Sequence, residues 1–276
     1  MNRIFRAAFA TCVAVAASSA ALAAEPRPWQ LGMQDTAGPI AKEIYDLHNL
    51  LLVITVLIAS FVLGLLLYIM VRFKASSNPV SSKTTHNTFL EIVWTAVPIL
   101  ILVVISIPSF KLLHFQAFPS KIDMTVKATG YQWYWGYEYP DHGISFDETL
   151  TAKEDLKNKA HWLMDTENHL VIPAGKNIRL ITTSADVIHA WAVFSVGVNI
   201  NATPGRINEV WFKIDKPGTY FGHCNKICGA NHAFMPIAID ALGEREFEAW
   251  LVEAKKKFAN ASETTRQFAE LAPAAR

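Results

Sequence analysis

Two long apolar runs divide the front of the chain. Residues 47–71 run for 25 positions without Asp, Glu, Lys or Arg, and residues 92–110 run for 19 more. At about 1.5 Å of rise per residue, either run as a helix covers a hydrocarbon core of roughly 30 Å. Two such runs back to back predict a transmembrane hairpin, with helices over 47–71 and 92–115, rather than buried core helices. Arg72, Lys74 and Lys83 lie between them with no acid before Glu91, while Glu43 and Asp46 flank the first run on its other side. The positive-inside rule then puts 72–91 in the cytoplasm and both ends of the mature chain outside. Pro98 predicts a bend in the second helix, and Pro108 marks its approach to the outer interface.

After residue 116 the pattern becomes short and β-rich. Strands are expected near 121–129, 131–139, 176–183, 187–194, 207–214, 218–222 and 236–241. Ile178, Leu180 and Thr182 alternate with Asn177, Arg179 and Ile181, a mostly half-buried pattern. Thr203-Pro204-Gly205-Arg206 and Lys216-Pro217-Gly218-Thr219 suit type II turns. Many short strands with Pro-Gly turns predict a sandwich or barrel over 116–242. From Glu244 to Phe258 the period becomes helical, with Phe247, Trp250, Leu251 and Ala254 on one face. A polar, Ala-rich tail that frays is expected after Ala259, closing the region 243–276.

Residues 1–23 read as a secretory signal. Arg3 and Arg6 charge its start, an Ala/Val/Phe stretch follows, and Ala21-Leu22-Ala23 offers a cleavage site. Residues 24–46 form an external segment, rich in Pro and Gly up to Pro39. The composition fits a membrane anchor plus one globular domain: 51% hydrophobic and 18% charged over 276 residues. The formal charge is +1, and loss of the leader's two arginines takes it to −1. That leaves no electrostatic footprint for nucleic acid. Of three cysteines, Cys12 lies in the leader, so a disulfide-framework fold is excluded.

The remaining two cysteines carry the candidate chemistry. Residues 222–236 read Gly-His-Cys-Asn-Lys-Ile-Cys-Gly-Ala-Asn-His-Ala-Phe-Met-Pro. Reduced to possible ligands, this is Cys224, Cys228, His232 and Met235. Thiolate, imidazole and thioether together suit copper better than a hard cation. Two thiolates can bridge two metal ions, and a further imidazole is expected upstream, best supplied by His189. A disulfide in an oxidising compartment and a structural zinc site are the competing readings. Met is a poor zinc ligand, which tips the balance to copper. No C-x-x-C-H haem-attachment motif occurs.

With its upstream motifs, this loop closely resembles subunit II of the haem–copper cytochrome c oxidases. The motifs are Thr85-His86-Asn87-Thr88, Glu91-Ile92-Val93-Trp94-Thr95, Gln132-Trp133-Tyr134-Trp135, Asp186-Val187-Ile188-His189 and Pro204-Gly205-Arg206. The resemblance spans nearly all of the chain after the leader. It implies a two-helix transmembrane hairpin plus an all-β, cupredoxin-like Greek-key barrel. It also implies a binuclear copper centre, CuA, held by His189, Cys224, Cys228, His232, Met235 and the backbone carbonyl of Lys226.

By the same resemblance, Trp133 is the electron entry point from cytochrome c, and Glu91 serves the entrance of a proton pathway. Trp135, on the same strand face, is structural. Glu138, Asp147, Asp165 and Asp186 are candidates for an acidic face that steers cytochrome c. The implied partners are oxidase subunit I, other oxidase subunits, cytochrome c and membrane lipid. The implied location is the bacterial inner membrane, with the large domain in the periplasm.

The chain departs from the family pattern at three places. His223 stands where Gln is usual, and it is expected to act on the charge around the site rather than as a ligand. Lys226 replaces a Glu that helps bind a Mg or Mn ion at the subunit I boundary, and Asn201 replaces an Asp. A protonated Lys cannot coordinate a cation, so the expectation is that this ion is absent and the ammonium takes its electrostatic place. The alternatives are the copper subunit of a related nitric oxide reductase and a membrane-tethered copper carrier.

Overall fold

The computed structural model describes residues 25–80, 82–119 and 121–271. The leader expected over 1–23 lies outside the described residues. The chain divides into two units, residues 43–118 and the remainder.

The first unit is helical. Helix α1 spans Pro39–Arg72 and α2 spans Thr88–Ala117. Among the described residues these are the helices long and apolar enough to cross a membrane. Their leucines, valines and isoleucines point outward, as a lipid solvent allows; Phe61, Leu66, Ile99 and Leu102 are all exposed. At 34 residues α1 is about 50 Å long, well beyond a bilayer core. Pro39 opens it, where a missing N–H costs nothing. Asn87 caps α2 by accepting the Leu90 N–H at 3.2 Å, and Glu91 sits in its first turn, where the helix dipole favours an acid. Pro98 and Pro108 both lie inside α2.

Helix α1 begins eight residues before its apolar run. The first of those residues belong to the second unit and are held there. Ala37 donates its N–H to the Ser195 carbonyl at 2.7 Å and accepts from the Asp215 N–H at 2.9 Å. Ile40 and Ala41 are buried beside it.

The second unit holds ten strands: β1 Met124–Tyr131, β2 Tyr134–Tyr139, β3 Ile144–Glu148, β4 Leu170–Pro173, β5 Ile178–Ser184, β6 His189–Val193, β7 Val198–Ala202, β8 Asn208–Phe212, β9 Gly218–Cys224 and β10 Pro236–Leu242. They form two five-stranded sheets, ordered β3-β2-β1-β5-β8 and β4-β10-β9-β6-β7. Strand β1 runs parallel to β5, and β4 parallel to β10; the other pairings are antiparallel. Ile178, Leu180 and Thr182 face the core along β5, as their alternation predicts.

Two strand expectations need correction. The run 131–139 is not one strand: Tyr131 pairs with Tyr134, and Gln132-Trp133 is the turn of a hairpin. Trp133 and Trp135 therefore do not share a strand face. Strands β3, β4 and β7 were not anticipated; at four or five residues each they are too short to carry a period. Helix α3, Glu244–Leu271, continues past Ala259, where a fraying tail was expected. Phe247 and Ala254 bury against the barrel, and Trp250 lies 5.4 Å from the ring of Tyr139.

Candidate metal centre

Three chain segments meet at one end of the two sheets. The β1–β2 turn brings Gln132 and Trp133. The β5–β6 crossover brings Asp186 and His189. The loop 225–235 joins β9 to β10, and pairing of Pro236 with His223 closes it.

The two thiols are free, buried and 4.0 Å apart, well beyond the roughly 2.05 Å of a disulfide. His189 Nδ1 lies 3.9 Å from Cys224 Sγ, and the Lys226 carbonyl lies 3.3 Å from the same sulfur. Around Cys228 Sγ, His232 Nδ1 and Met235 Sδ both lie at 3.5 Å. Ligands held tetrahedrally at about 2.0–2.3 Å from a metal are themselves roughly 3.3–3.8 Å apart. The donors therefore stand at metal-binding separations, and His189, Cys224 and Cys228 form a closely grouped, buried triplet. The loop, the end of β9 and the start of β6 thus bring together the residues expected as ligands. Soft sulfur with imidazole fits copper.

Charge follows the geometry. Burial pushes Cys224 up, but the His189 ring and the backbone around Ala190 and Lys226 outweigh it, leaving the thiol below its usual range. Burial and the neighbouring Cys224 push Cys228 up to about 12. Burial disfavours the His189 cation, yet Cys224 and Asp186 hold it above an ordinary imidazole. The metal-free loop therefore keeps a proton on Cys228, and binding a metal as thiolate must release it.

The surrounding groups fix the donors. Asp186 Oδ1 accepts from His189 Nε2 at 2.8 Å, which leaves Nδ1 facing Cys224. Its other oxygen accepts the Gln132 N–H at 2.7 Å. Gln132 Nε2 and Trp133 Nε1 both donate to the Cys228 carbonyl, at 2.8 and 3.3 Å. Asn225 N–H ties the loop to the Ala190 carbonyl at 2.9 Å. Two glycines make these approaches possible. A Cβ on Gly130 would stand 2.8 Å from the His189 ring, and one on Gly229 (φ +124°) would stand 2.9 Å from the Trp133 indole.

Several sequence expectations change here. Asp186 was read as part of an acidic face; it is the orienting partner of His189. Asp165 is likewise engaged, with His169 at 2.8 Å, and Glu138 pairs with Lys127 at 2.7 Å. Asp147 and Glu138 line one groove with the stacked Tyr131 and Tyr134, and Asp165 lines a different cleft with His169. Gln132 appeared only as part of the Gln132-Trp133-Tyr134-Trp135 motif and was given no role; its place beside Trp133 was the available signal. Lys226 is exposed while its carbonyl turns to Cys224, and His223 is exposed with its ring edge-on to Phe194.

Two apolar helices and a two-sheet barrel with a buried Cys/His/Met cluster at one end define a membrane-anchored, cupredoxin-like copper protein. The family model "Cytochrome C oxidase subunit II, periplasmic domain" matches residues 124–242, and that for the transmembrane domain matches residues 26–112. The chain is 46% identical over 245 residues to a probable cytochrome c oxidase subunit 2 of Rickettsia bellii, covering 88% of this chain and 91% of that protein. It is 42% identical to cytochrome c oxidase subunit 2 of Oenothera berteroana, covering 84% and 92%. A solved periplasmic domain of subunit II from Bradyrhizobium japonicum is 47% identical over 51% of this chain and 99% of that one, with a TM-score of 0.48. The chain belongs to the cytochrome c oxidase subunit II family, and is thereby a subunit of an oxidoreductase complex.

Proposed function

We propose that the chain is the electron-entry subunit of a respiratory oxidase that couples O2 reduction to proton pumping, with two copper ions held at Cys224 and Cys228. The observation that carries this reading is the split of the donors into two half-sets. His189 and the Lys226 carbonyl gather at Cys224, while His232 and Met235 gather at Cys228. Six donors exceed the four of one tetrahedral ion, and two thiolates can each be shared. Bound copper supplies a one-electron carrier.

The chain's own residues do the rest. Burial of both cysteines, His189 and Met235 keeps water from these four side chains. Asp186, Gln132 and Ala190 brace the loop, so the donors need not move when the charge changes. Trp133 is half-buried, with its Nε1 on the carbonyl of a ligand residue, a bonded route from the surface to the site. Electrons from cytochrome c enter there and leave to haem in subunit I. Glu91, in the first turn of α2, opens a proton path into the partner subunit. The exposed Lys226 ammonium stands in for a Mg or Mn ion at that boundary. The helices lie in the bacterial inner membrane, with the barrel in the periplasm.

The test is metal content and electron paramagnetic resonance of the full-length chain, purified in detergent and loaded with copper. The expected result is two coppers per chain sharing one unpaired electron. One copper with a blue-site signal, or zinc in its place, overturns the reading.

A further inference from the structure

One buried ionisable group has no part in the function above. Glu148, at the end of β3, is 1% exposed. Its carboxylate receives three donors: the Tyr137 hydroxyl at 2.8 Å on one oxygen, and the Thr166 hydroxyl at 3.0 Å and the Ala238 N–H at 2.9 Å on the other. Tyr137 in turn accepts the Trp191 Nε1–H at 3.0 Å. Every hydrogen in this chain points toward Glu148, so the ionised form is the matched one. If Glu148 carried the proton and gave it to Tyr137, the tyrosine's own hydrogen would lose its acceptor.

Two routes of aromatic side chains join this network to the metal donors, one through Tyr137 and Trp191 and one through Trp135. Trp191 pairs with Cys224 across β6 and β9, and both side chains are buried. Trp135 pairs with Glu148 across β2 and β3, and its ring stands edge-on to His189 at 5.9 Å. Trp135, Trp191 and Tyr137 are all fully buried, so only dry protein separates the charges and screening is weak. On its far side only the Thr166 hydroxyl stands between the carboxylate and a surface cleft, which Thr166 lines with His161, Asp165, His169 and Asp240.

We propose that Glu148 is a redox-linked proton acceptor, taking up one proton when the barrel gains one electron and releasing it on oxidation. The proposal rests on the copper reading above. The electron comes from a reduced haem protein, and the proton comes from water in the cleft at Thr166. The barrel's net charge is then the same before and after, and both particles leave together. Unassisted, an added electron would face an unscreened carboxylate.

The neighbouring groups leave Glu148 free to respond. Burial pushes Tyr137 and Tyr139 far up, so both stay neutral. His169, held between Asp240 and Asp165, stays cationic to about 9 and favours the Glu148 anion. Against it and the three donors, burial lifts Glu148 to about 8. A change of one charge nearby then shifts its occupancy most strongly around pH 8.

The test is a spectroelectrochemical titration of the copper-loaded full-length chain in detergent, from about pH 6 to about pH 10. The midpoint potential should fall as pH rises through the window in which Glu148 titrates. Glu148→Gln should match the wild type at the low end, lie above it at the high end, and have no slope. Thr166→Val removes a donor to the anion, raises the carboxyl pKa, and should move the window to higher pH; it carries the test if Glu148→Gln does not fold. Infrared difference spectra should show a carboxylic-acid band appearing on reduction, and that band should be missing in Glu148→Gln. A wild-type potential independent of pH, or a slope that survives Glu148→Gln, overturns the proposal. Copper counted on the same samples separates this from failure of the copper reading.

Discussion

His169 offers a direct test of the electrostatics that hold the barrel. Its ring bridges two carboxylates, with Nδ1 2.9 Å from Asp240 and Nε2 2.8 Å from Asp165. Asp240 also accepts from the Thr219 hydroxyl at 2.6 Å. Burial works against the cation, but the two carboxylates outweigh it and raise the imidazole to about 9. The unfolded chain keeps an ordinary value near 6.5. The raised value means that the charged ring stabilises the fold fully below about pH 6.5, and that this contribution fades as pH climbs through about 9. The difference between the two values corresponds to about 3 kcal/mol. His169→Gln keeps hydrogen-bonding capacity and removes the charge. Denaturant unfolding of the metal-free full-length chain, followed by tryptophan fluorescence, should show the wild type ahead by about 3 kcal/mol at pH 6. By about pH 10 most of that lead should be gone. A gap that stays constant across this range would mean that the ring is already neutral at pH 6, and the ion-triplet account would fall.

Two further expectations concern the metal centre. Asp186→Asn should weaken copper binding by about 10–100-fold, because the His189 ring loses its anionic anchor; competition against a chelator measures it, and an unchanged affinity would refute the orienting role. Trp133→Phe removes the Nε1 bond to the Cys228 carbonyl, so stopped-flow oxidation of cytochrome c by the assembled oxidase should slow while copper content holds. Unchanged kinetics would place electron entry elsewhere.

The sequence made the ligands legible because four ligand side chains fall within twelve residues, from Cys224 to Met235. Chemistry alone marks such a cluster. The helices were equally plain, since a bilayer demands an unbroken apolar run. Their ends were not, because Ile40 and Ala41 are ordered by packing against the barrel and not by the membrane pattern. What supports the ligands was mostly hidden. Asp186 is three residues from His189, and its spacing was visible, yet an acid near a histidine reads as readily as surface charge. Gln132 meets Cys228 across 96 positions of sequence. Glu148 carried no signal in the sequence; the β2–β3 pairing sets Tyr137 near it, and the second sheet brings Ala238.

The topology explains why those distant residues must meet. Strands β1 and β5 run parallel, with Gly130 beside Ser184, so the β1–β2 turn and the β5–β6 crossover leave the first sheet at the same end. The crossover is short: Ala185 N–H bonds back to Gly130 at 3.1 Å, and His189 already opens β6 in the second sheet. There β6 runs antiparallel to β9, which sets the last residues of β9 beside the first of β6 and brings Cys224 to His189. The metal loop therefore starts where the crossover lands. Trp133 is carried to the same end by the parallel pair in the other sheet. One pairing places the ligands and the other places the tryptophan.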